Sequence, residues 1–181
     1  MHNGDCILTI NGGSSSIKFS LYKIDEPLEQ WLNGEIKNIG SKKAILHFNT
    51  NTHQQTNNFD FESADHGEAA NHFIDWLENQ KHFDSVKAIG HRIVHGMNHT
   101  EPTLITEDLL NELKKISAFD PEHVPEEIKL IEVFKKRYPA LKQIACFDTS
   151  FHTSMPIVAK LLSIPRCYYE MGIQRYGFHG L

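Results

Sequence analysis

The sequence predicts an α/β protein in which an opening antiparallel meander leads into alternating strands and helices. Three observations carry that prediction. Residues 6–61 hold short β-type runs at hairpin spacing. From residue 63 the apolar period changes from two to three and four. Beyond it, strand-like and helical stretches alternate, as in a layered α/β architecture. No internal repeat, low-complexity stretch or linker interrupts the pattern, so residues 1–181 read as one unit.

The opening runs are CILTING and GSSSIKFSLYKI, joined at Asn11-Gly12-Gly13, a sequence suited to a hairpin turn. EIKNIG and KAILHFNT follow as third and fourth strands, with QQTNNFDF as a fifth. Between about Ser63 and Lys81, the residues Ala70, Phe73, Ile74 and Leu77 mark an amphipathic helix whose start suits Ser63, Asp65 and Glu68. VKAIGHRIVHG is the next β-type run, ended by Gly96. Helices are expected from about Thr106 to Ile116 and from Pro125 to Arg137, the second closed by Tyr138-Pro139. LKQIACFD reads as a buried strand and MPIVAKLLSI as a short helix before Pro165. Phe178-His179-Gly180 reads as a turn toward a further element beyond Leu181.

Composition excludes several classes. A chain of 181 residues can bury a sizeable core, and 40% hydrophobic with 23% charged residues is ordinary for a globular protein. A net charge of -5, with only the short Lys135-Lys136-Arg137 run to offset it, speaks against nucleic acid as a partner. Cys6, Cys146 and Cys167 are too scattered for a disulfide framework or a thiolate zinc site, which favours a reducing compartment. No signal-peptide pattern or membrane-length apolar run is present, so the expected setting is cytoplasmic with no membrane partner.

Four stretches carry candidate chemistry. In NGGSSSIKF, alternation places Ser14, Ser16 and Lys18 opposite Ile17, Phe19 and Leu21. Hydroxyls and an ammonium beside a glycine turn suit a phosphate, although a hairpin with a solvated polar face reads the same way. The Walker A spacing is absent. In GHRIVHG, Arg92 within an apolar strand requires an anion. Its fork fits a carboxylate or phosphoryl group of a ligand, with Val94 beside it for a small apolar tail, and equally a structural Asp or Glu. His91, His95 and His99 have helical metal-ligand spacing, but Gly96 and the β-branched Ile93-Val94 oppose a helix. In ACFDTSFH, Asp148 ends a strand where open α/β sheets bind ligands, so it could hold Mg²⁺ or cap the next helix. In RYGFHG, His179 on a glycine-bounded turn could donate to a transferring phosphoryl group. His123, among Pro121, Glu122 and Pro125, marks a helix entrance.

In order and spacing, N-x-G-S-S-S-x-K-F, H-R-x-V-H-G, F-D-T-x-F-H and R-Y-G-F-H-G resemble the acetate kinase family, from Asn11 to Gly180. The resemblance implies a ribonuclease H-like β/α domain of the acetate and sugar kinase, Hsp70 and actin superfamily. It also implies direct in-line phosphoryl transfer between ATP and acetate, giving acetyl phosphate and ADP, with Mg²⁺ or Mn²⁺. Asn11, Ser14, Ser16 and Lys18 match the family's first phosphate-and-magnesium motif. Arg92 matches the arginine for acetate or the transferring phosphoryl, and Asp148 the acidic residue associated with magnesium and transfer. His179 and His123 match two active-site histidines, and Val94 and Phe178 the pocket for the substrate methyl.

Three departures stand out: Gly12 replaces a usual Ala, Met97 a common second Gly, and Glu122 an apolar residue before His123. The first is expected to loosen the turn and the second to reshape its loop. The resemblance also implies that the family's adenosine pocket, second phosphate loop, second arginine and magnesium-associated glutamate lie beyond Leu181. The chain is therefore expected to be the amino-terminal acetokinase domain, with little kinase activity alone. The resemblance further implies a homodimer, common in the family. Alternatives from the same reading are a propionate or butyrate kinase, a non-catalytic acyl phosphate-binding fragment that needs a partner chain, and a metal-binding module drawing on the 12 histidines.

Overall fold

The computed structural model describes residues 4–41, 43–50, 53–118 and 120–181. Five antiparallel strands open it: β1 (Cys6–Gly12), β2 (Ile17–Lys23), β3 (Glu29–Lys37), β4 (Ala44–Thr50) and β5 (His53–Phe61). Then come α1 (His66–Leu77), β6 (Val86–Ile93), β7 (Thr103–Leu104), α2 (Glu107–Ile116), α3 (Val124–Arg137) and β8 (Lys142–Phe147). A 3₁₀ turn over Asp148–His152 leads to α4 (Ile157–Lys160) and α5 (Arg166–Glu170). All eight strands form one mixed sheet in the order β5-β4-β3-β2-β1-β6-β8-β7. Within it β1, β6 and β8 run parallel, so their carboxyl ends meet at one edge of the molecule.

Alternation along each strand makes one sheet face apolar. Leu8, Ile10, Ile17, Phe19, Leu21, Ile36, Leu46 and Ile89 pack there against α1 and α3. A second cluster joins Ile93, Ala145 and Phe147 to α2 and the start of α3. The opposite face carries Thr9, Asn11, Lys18, Ser20 and Arg92 and stays largely uncovered by helix.

Helix starts follow their caps. Asp65 accepts from the Glu68 amide at 3.0 Å, while Glu68 Oε2 accepts from the Ala64 amide at 2.7 Å. This reciprocal cap begins α1 at His66, three residues after the expected start, because Ser63 bonds the Asp65 carbonyl instead. Thr106 caps α2 in one direction only, its Oγ1 accepting from the Leu109 amide at 3.2 Å.

The first turn differs from the expectation. Asn11 and Gly12 lie within β1, paired with Lys18 and Ile17, and the chain reverses over residues 13–16. Gly12 therefore loosens no turn. A Cβ there would fall 2.7 Å from Leu130 Cδ1, so its lack of side chain lets α3 approach the strand. Strand β6 stops at Ile93, before Gly96, because the Val94 amide leaves the sheet for the Glu127 carboxylate. The expected helix over MPIVAKLLSI is reduced to four residues, since Leu161 turns extended. Met97 has φ 48°, the left-handed region that glycine enters without penalty.

Candidate active site

Sheet register builds the centre of the site. Lys18, Asn11, Arg92 and Cys146 are successive cross-strand partners on β2, β1, β6 and β8, so their side chains share the uncovered face. Arg92 donates from Nη1 to Asn11 Oδ1 at 3.0 Å and from Nε to Asp148 Oδ1 at 2.9 Å. Its Nη2 pairs closely with Asp148 Oδ2. Asp148, with 0% side-chain exposure, also accepts from the His179 amide at 3.0 Å and the Leu181 amide at 3.3 Å. Four donors thus saturate this carboxylate, and the carboxyl-terminal segment is tied down through it.

Of the five N–H donors on Arg92, three are used within the protein, leaving one on each terminal nitrogen. The Arg92 side chain keeps 18% exposure and lines a cleft of about 640 Å³ together with Asn11, Lys18, Glu35, His47 and Cys146. Lys18 is 63% exposed at its side chain, and its ammonium lies 4.0 Å from Glu35. The cleft therefore presents two cations to an anion entering at the strand ends.

The other expected residues are placed less directly. Ser14 and Ser16 sit in the 13–16 turn, not in alternation on β2; the turn is closed by Gly13 N–H to Ser16 O at 2.8 Å. His179 reaches the centre through its backbone only, and the residue is exposed at φ 58°. Phe178, 40% exposed, packs edge-on to His95 at 5.5 Å, and Val94 is buried; neither lines the cleft. His123 bonds Asp120 through its ring and its amide, at 3.0 and 3.2 Å, at the entrance of α3. No hydrogen bond joins it to Arg92 or Asp148 among the described residues. Asp148 does not cap the 3₁₀ turn that follows it, because its oxygens are committed to Arg92 and the terminal amides. Thr149 instead accepts from the Gly96 amide at 3.1 Å.

The three histidines at apparent metal spacing are dispersed by the strand. His91 is buried and donates from Nε2 to Gln143 Oε1 at 2.7 Å. The Nδ1 of His95 accepts from the Met97 amide at 3.1 Å, leaving its proton on Nε2, and the ring packs against Tyr176. Nε2 of His99 lies 3.2 Å from Glu112.

Two residues behind the site escaped sequence reading. Glu127, buried in the first turn of α3, accepts from the Val94 amide with Oε1 and Oε2 at 3.1 and 3.3 Å. His66, buried at the start of α1, donates from Nε2 to the Gly13 carbonyl at 2.7 Å. Only a carboxylate on the inward face of α3, at Glu127, hinted at the first; nothing local marked the second.

Burial pushes the Glu127 carboxyl up to about 8, outweighing the Val94 amide and the Arg92 charge. The folded chain thus holds this proton more tightly than the unfolded one, and its stabilising effect is lost as pH rises through that value. Burial likewise depresses His91 to about 4 from an ordinary 6.5. Its contribution is complete above the ordinary value and is lost as pH falls through about 4. Above pH about 6.5, only the Glu127 slope remains of the two. Urea stability is therefore expected to fall from that pH toward pH 8, and Glu127→Gln to flatten the decline.

Comparison with known proteins adds a family to this geometry. The family model described as Acetokinase family matches residues 6–181. The acetate kinase of Borrelia hermsii is 40% identical over 97% of the chain and 44% of its own length. That of Rhodopseudomonas palustris is 36% identical over 98% and 46%. Among solved structures, a propionate kinase from Francisella tularensis superposes with a TM-score of 0.85 at 32% identity, over 97% of this chain and 45% of its own. Porphyromonas gingivalis acetate kinase, 24% identical, shares the fold with a TM-score of 0.85 over 98% of this chain and 46% of its own. The mixed sheet is thus the acetate and sugar kinase, Hsp70 and actin-like fold. The chain spans less than half the length of these relatives. No helix among its described residues is long and apolar enough to cross a membrane.

Proposed function

The chain belongs to the acetokinase family, and from that premise we propose that it supplies the acyl-substrate side of an acetate kinase. The reaction is direct, reversible phosphoryl transfer between ATP and acetate. The single observation behind this reading is Arg92, braced by Asp148 and Asn11 at the carboxyl ends of the parallel strands with two donors left over. Those donors match two oxygens of a carboxylate or phosphoryl group. Asp148 keeps the guanidinium oriented, so its fork need not be organised when the anion arrives. Lys18, with the hydroxyls of Ser14 and Ser16, offers a second set of donors to phosphate oxygens. The resemblance assigns Val94 and Phe178 to the methyl group and His179 and His123 to the transferring phosphoryl; none of the four lines the cleft in the 181-residue chain, so these roles belong to the whole enzyme.

Asp148 and Asn11 carry oxygen donors of the type that Mg²⁺ (or Mn²⁺) takes in company with nucleotide phosphates. Contact with the ion, direct or through water, would require Asp148 to release one of its four hydrogen bonds. When bound, the ion would neutralise charge on the phosphoryl group. ATP or ADP is the co-substrate, and its adenosine site belongs to the part of the relatives that the chain does not span. A cytoplasmic setting and a homodimer follow the same reading of the family.

Phosphoryl transfer needs both sides of the constellation, so the 181-residue chain alone is expected to make no measurable acetyl phosphate. Mixed with a carboxyl-terminal fragment of a similar acetate kinase, it is expected to give a hydroxamate signal dependent on acetate, ATP and Mg²⁺. Arg92→Ala in the mixture is expected to remove that signal. A signal that persists in Arg92→Ala would refute the role given to Arg92. A preference for propionate over acetate would favour the function named for the Francisella tularensis relative.

A further inference from the structure

The amino-terminal half of α3 touches the backs of both proposed substrate-binding segments. Glu127 holds the Val94 amide directly. One position earlier, Glu126 Oε2 lies 3.1 Å from His66 Nδ1, and the other ring nitrogen of His66 donates to the Gly13 carbonyl at the start of the 13–16 turn. Three positions on from Glu127, Leu130 occupies the space that a side chain on Gly12 would need. Consecutive turns of one helix thus contact Gly12, Gly13 through His66, and Val94.

These contacts are built, not incidental. His66 and Glu127 are buried, and Oε2 of Glu126 is a buried oxygen with no hydrogen-bond partner among the described residues, 3.1 Å from His66 Nδ1. The Gly13 carbonyl can only accept, which fixes a proton on His66 Nε2. Glu126 Oε1 takes Lys129, so the Glu126 carboxylate is balanced without help from the cleft.

We propose that the first turns of α3 are a common mount for the two substrate segments, with His66 and Glu127 as positioning residues that couple the 13–16 turn to Val94. This rests on reading that turn as phosphate-binding and Val94 as an acyl-pocket wall. Neither His66 nor Glu127 faces the cleft, so both act through the backbone groups they hold. A rigid helix that carries both attachments transmits a shift at one segment to the other.

The test uses the ¹⁵N-labelled 181-residue chain and its His66→Ala, His66→Gln, Glu127→Ala and Glu127→Gln variants. Amide shifts are read at residues 13–16 and at Val94, with acetyl phosphate titrated by ³¹P NMR. His66→Ala is expected to move the Val94 amide as well as residues 13–16, and Glu127→Ala to move residues 13–16 as well as Val94. The Gln variants, which keep a donor at 66 and an acceptor at 127, are expected to recover most of the wild-type pattern. Acetyl phosphate is expected to bind about tenfold more weakly to each Ala variant, the size of ordinary coupling through a shared contact.

Shifts confined to the mutated side would overturn the mount, as would shifts spread equally into β4 and β5. If an Ala variant does not fold, the residual shifts of its Gln counterpart decide: small movement at both segments supports the coupling, and movement at the mutated side alone overturns it. A wild-type chain that binds no acetyl phosphate would sink the substrate reading, while the amide pattern would still judge the mount.

Discussion

Arg92→Ala is expected to destabilise the chain by about 3–5 kcal/mol, the range for removing one partner of a buried ion pair. The cost arises at Asp148. Its carboxylate has no solvent exposure and would keep only the His179 and Leu181 amides as partners. A lower urea midpoint with an unchanged slope would establish the effect as a loss of folded-state stability. Arg92→Lys is expected to recover only part, because an ammonium cannot reproduce donors to both Asp148 oxygens and to Asn11 Oδ1. A midpoint within about 0.5 kcal/mol of wild type for Arg92→Ala, the range of ordinary surface changes, would show that the pair contributes little.

Phe134→Ala is expected to cost a similar amount, about 3–5 kcal/mol, by leaving a cavity in the main core. Phe134 is fully buried on α3, edge-on to Phe73 of α1 and to His91 of β6, with ring centroids 6.2 and 6.1 Å away. It therefore binds the sheet and both covering helices at one point. Because α3 also carries Glu126 and Glu127, the cavity is expected to loosen the segments in front of it. Thermal unfolding should report the lost stability, and amide exchange should quicken at Gly13 and Val94. Unchanged exchange there, with the expected stability loss, would separate core packing from the support of the site.

Much of the fold was legible because its signals are local. The antiparallel runs of residues 6–61 alternate with period two, and α2 and α3 announce themselves by period and by their Thr106 and Pro125 starts. What failed depended on competition between partners. Asn11-Gly12 has turn chemistry, yet the seven-pair register of β1 with β2 draws both residues into the strand. MPIVAKLLSI has helical spacing, but four residues of it form a helix, and Ile157 and Val158 remain exposed there.

At the site, local sequence supplied the parts and left their pairing undecided. Arg92 in an apolar strand demanded an anion, and Asp148 at a strand end offered one; both the ligand-binding and structural readings were open. The parallel β6–β8 register brings these residues, 56 positions apart, into one bidentate pair that still leaves donors toward the cleft. His66 and Glu127 were invisible for the same reason, since their partners lie 53 and 33 positions away.

By itself, then, the sequence determined most of the elements, the family resemblance and the chemical types gathered near the strand ends, because periodicity, caps and motif spacing act over a few residues. Tertiary structure alone decided that Arg92 is braced by Asp148 and Asn11, and that α3 holds the two segments from behind. A buried charge or amide must find its partner wherever the packed chain presents one, and that choice is made in space rather than along the sequence.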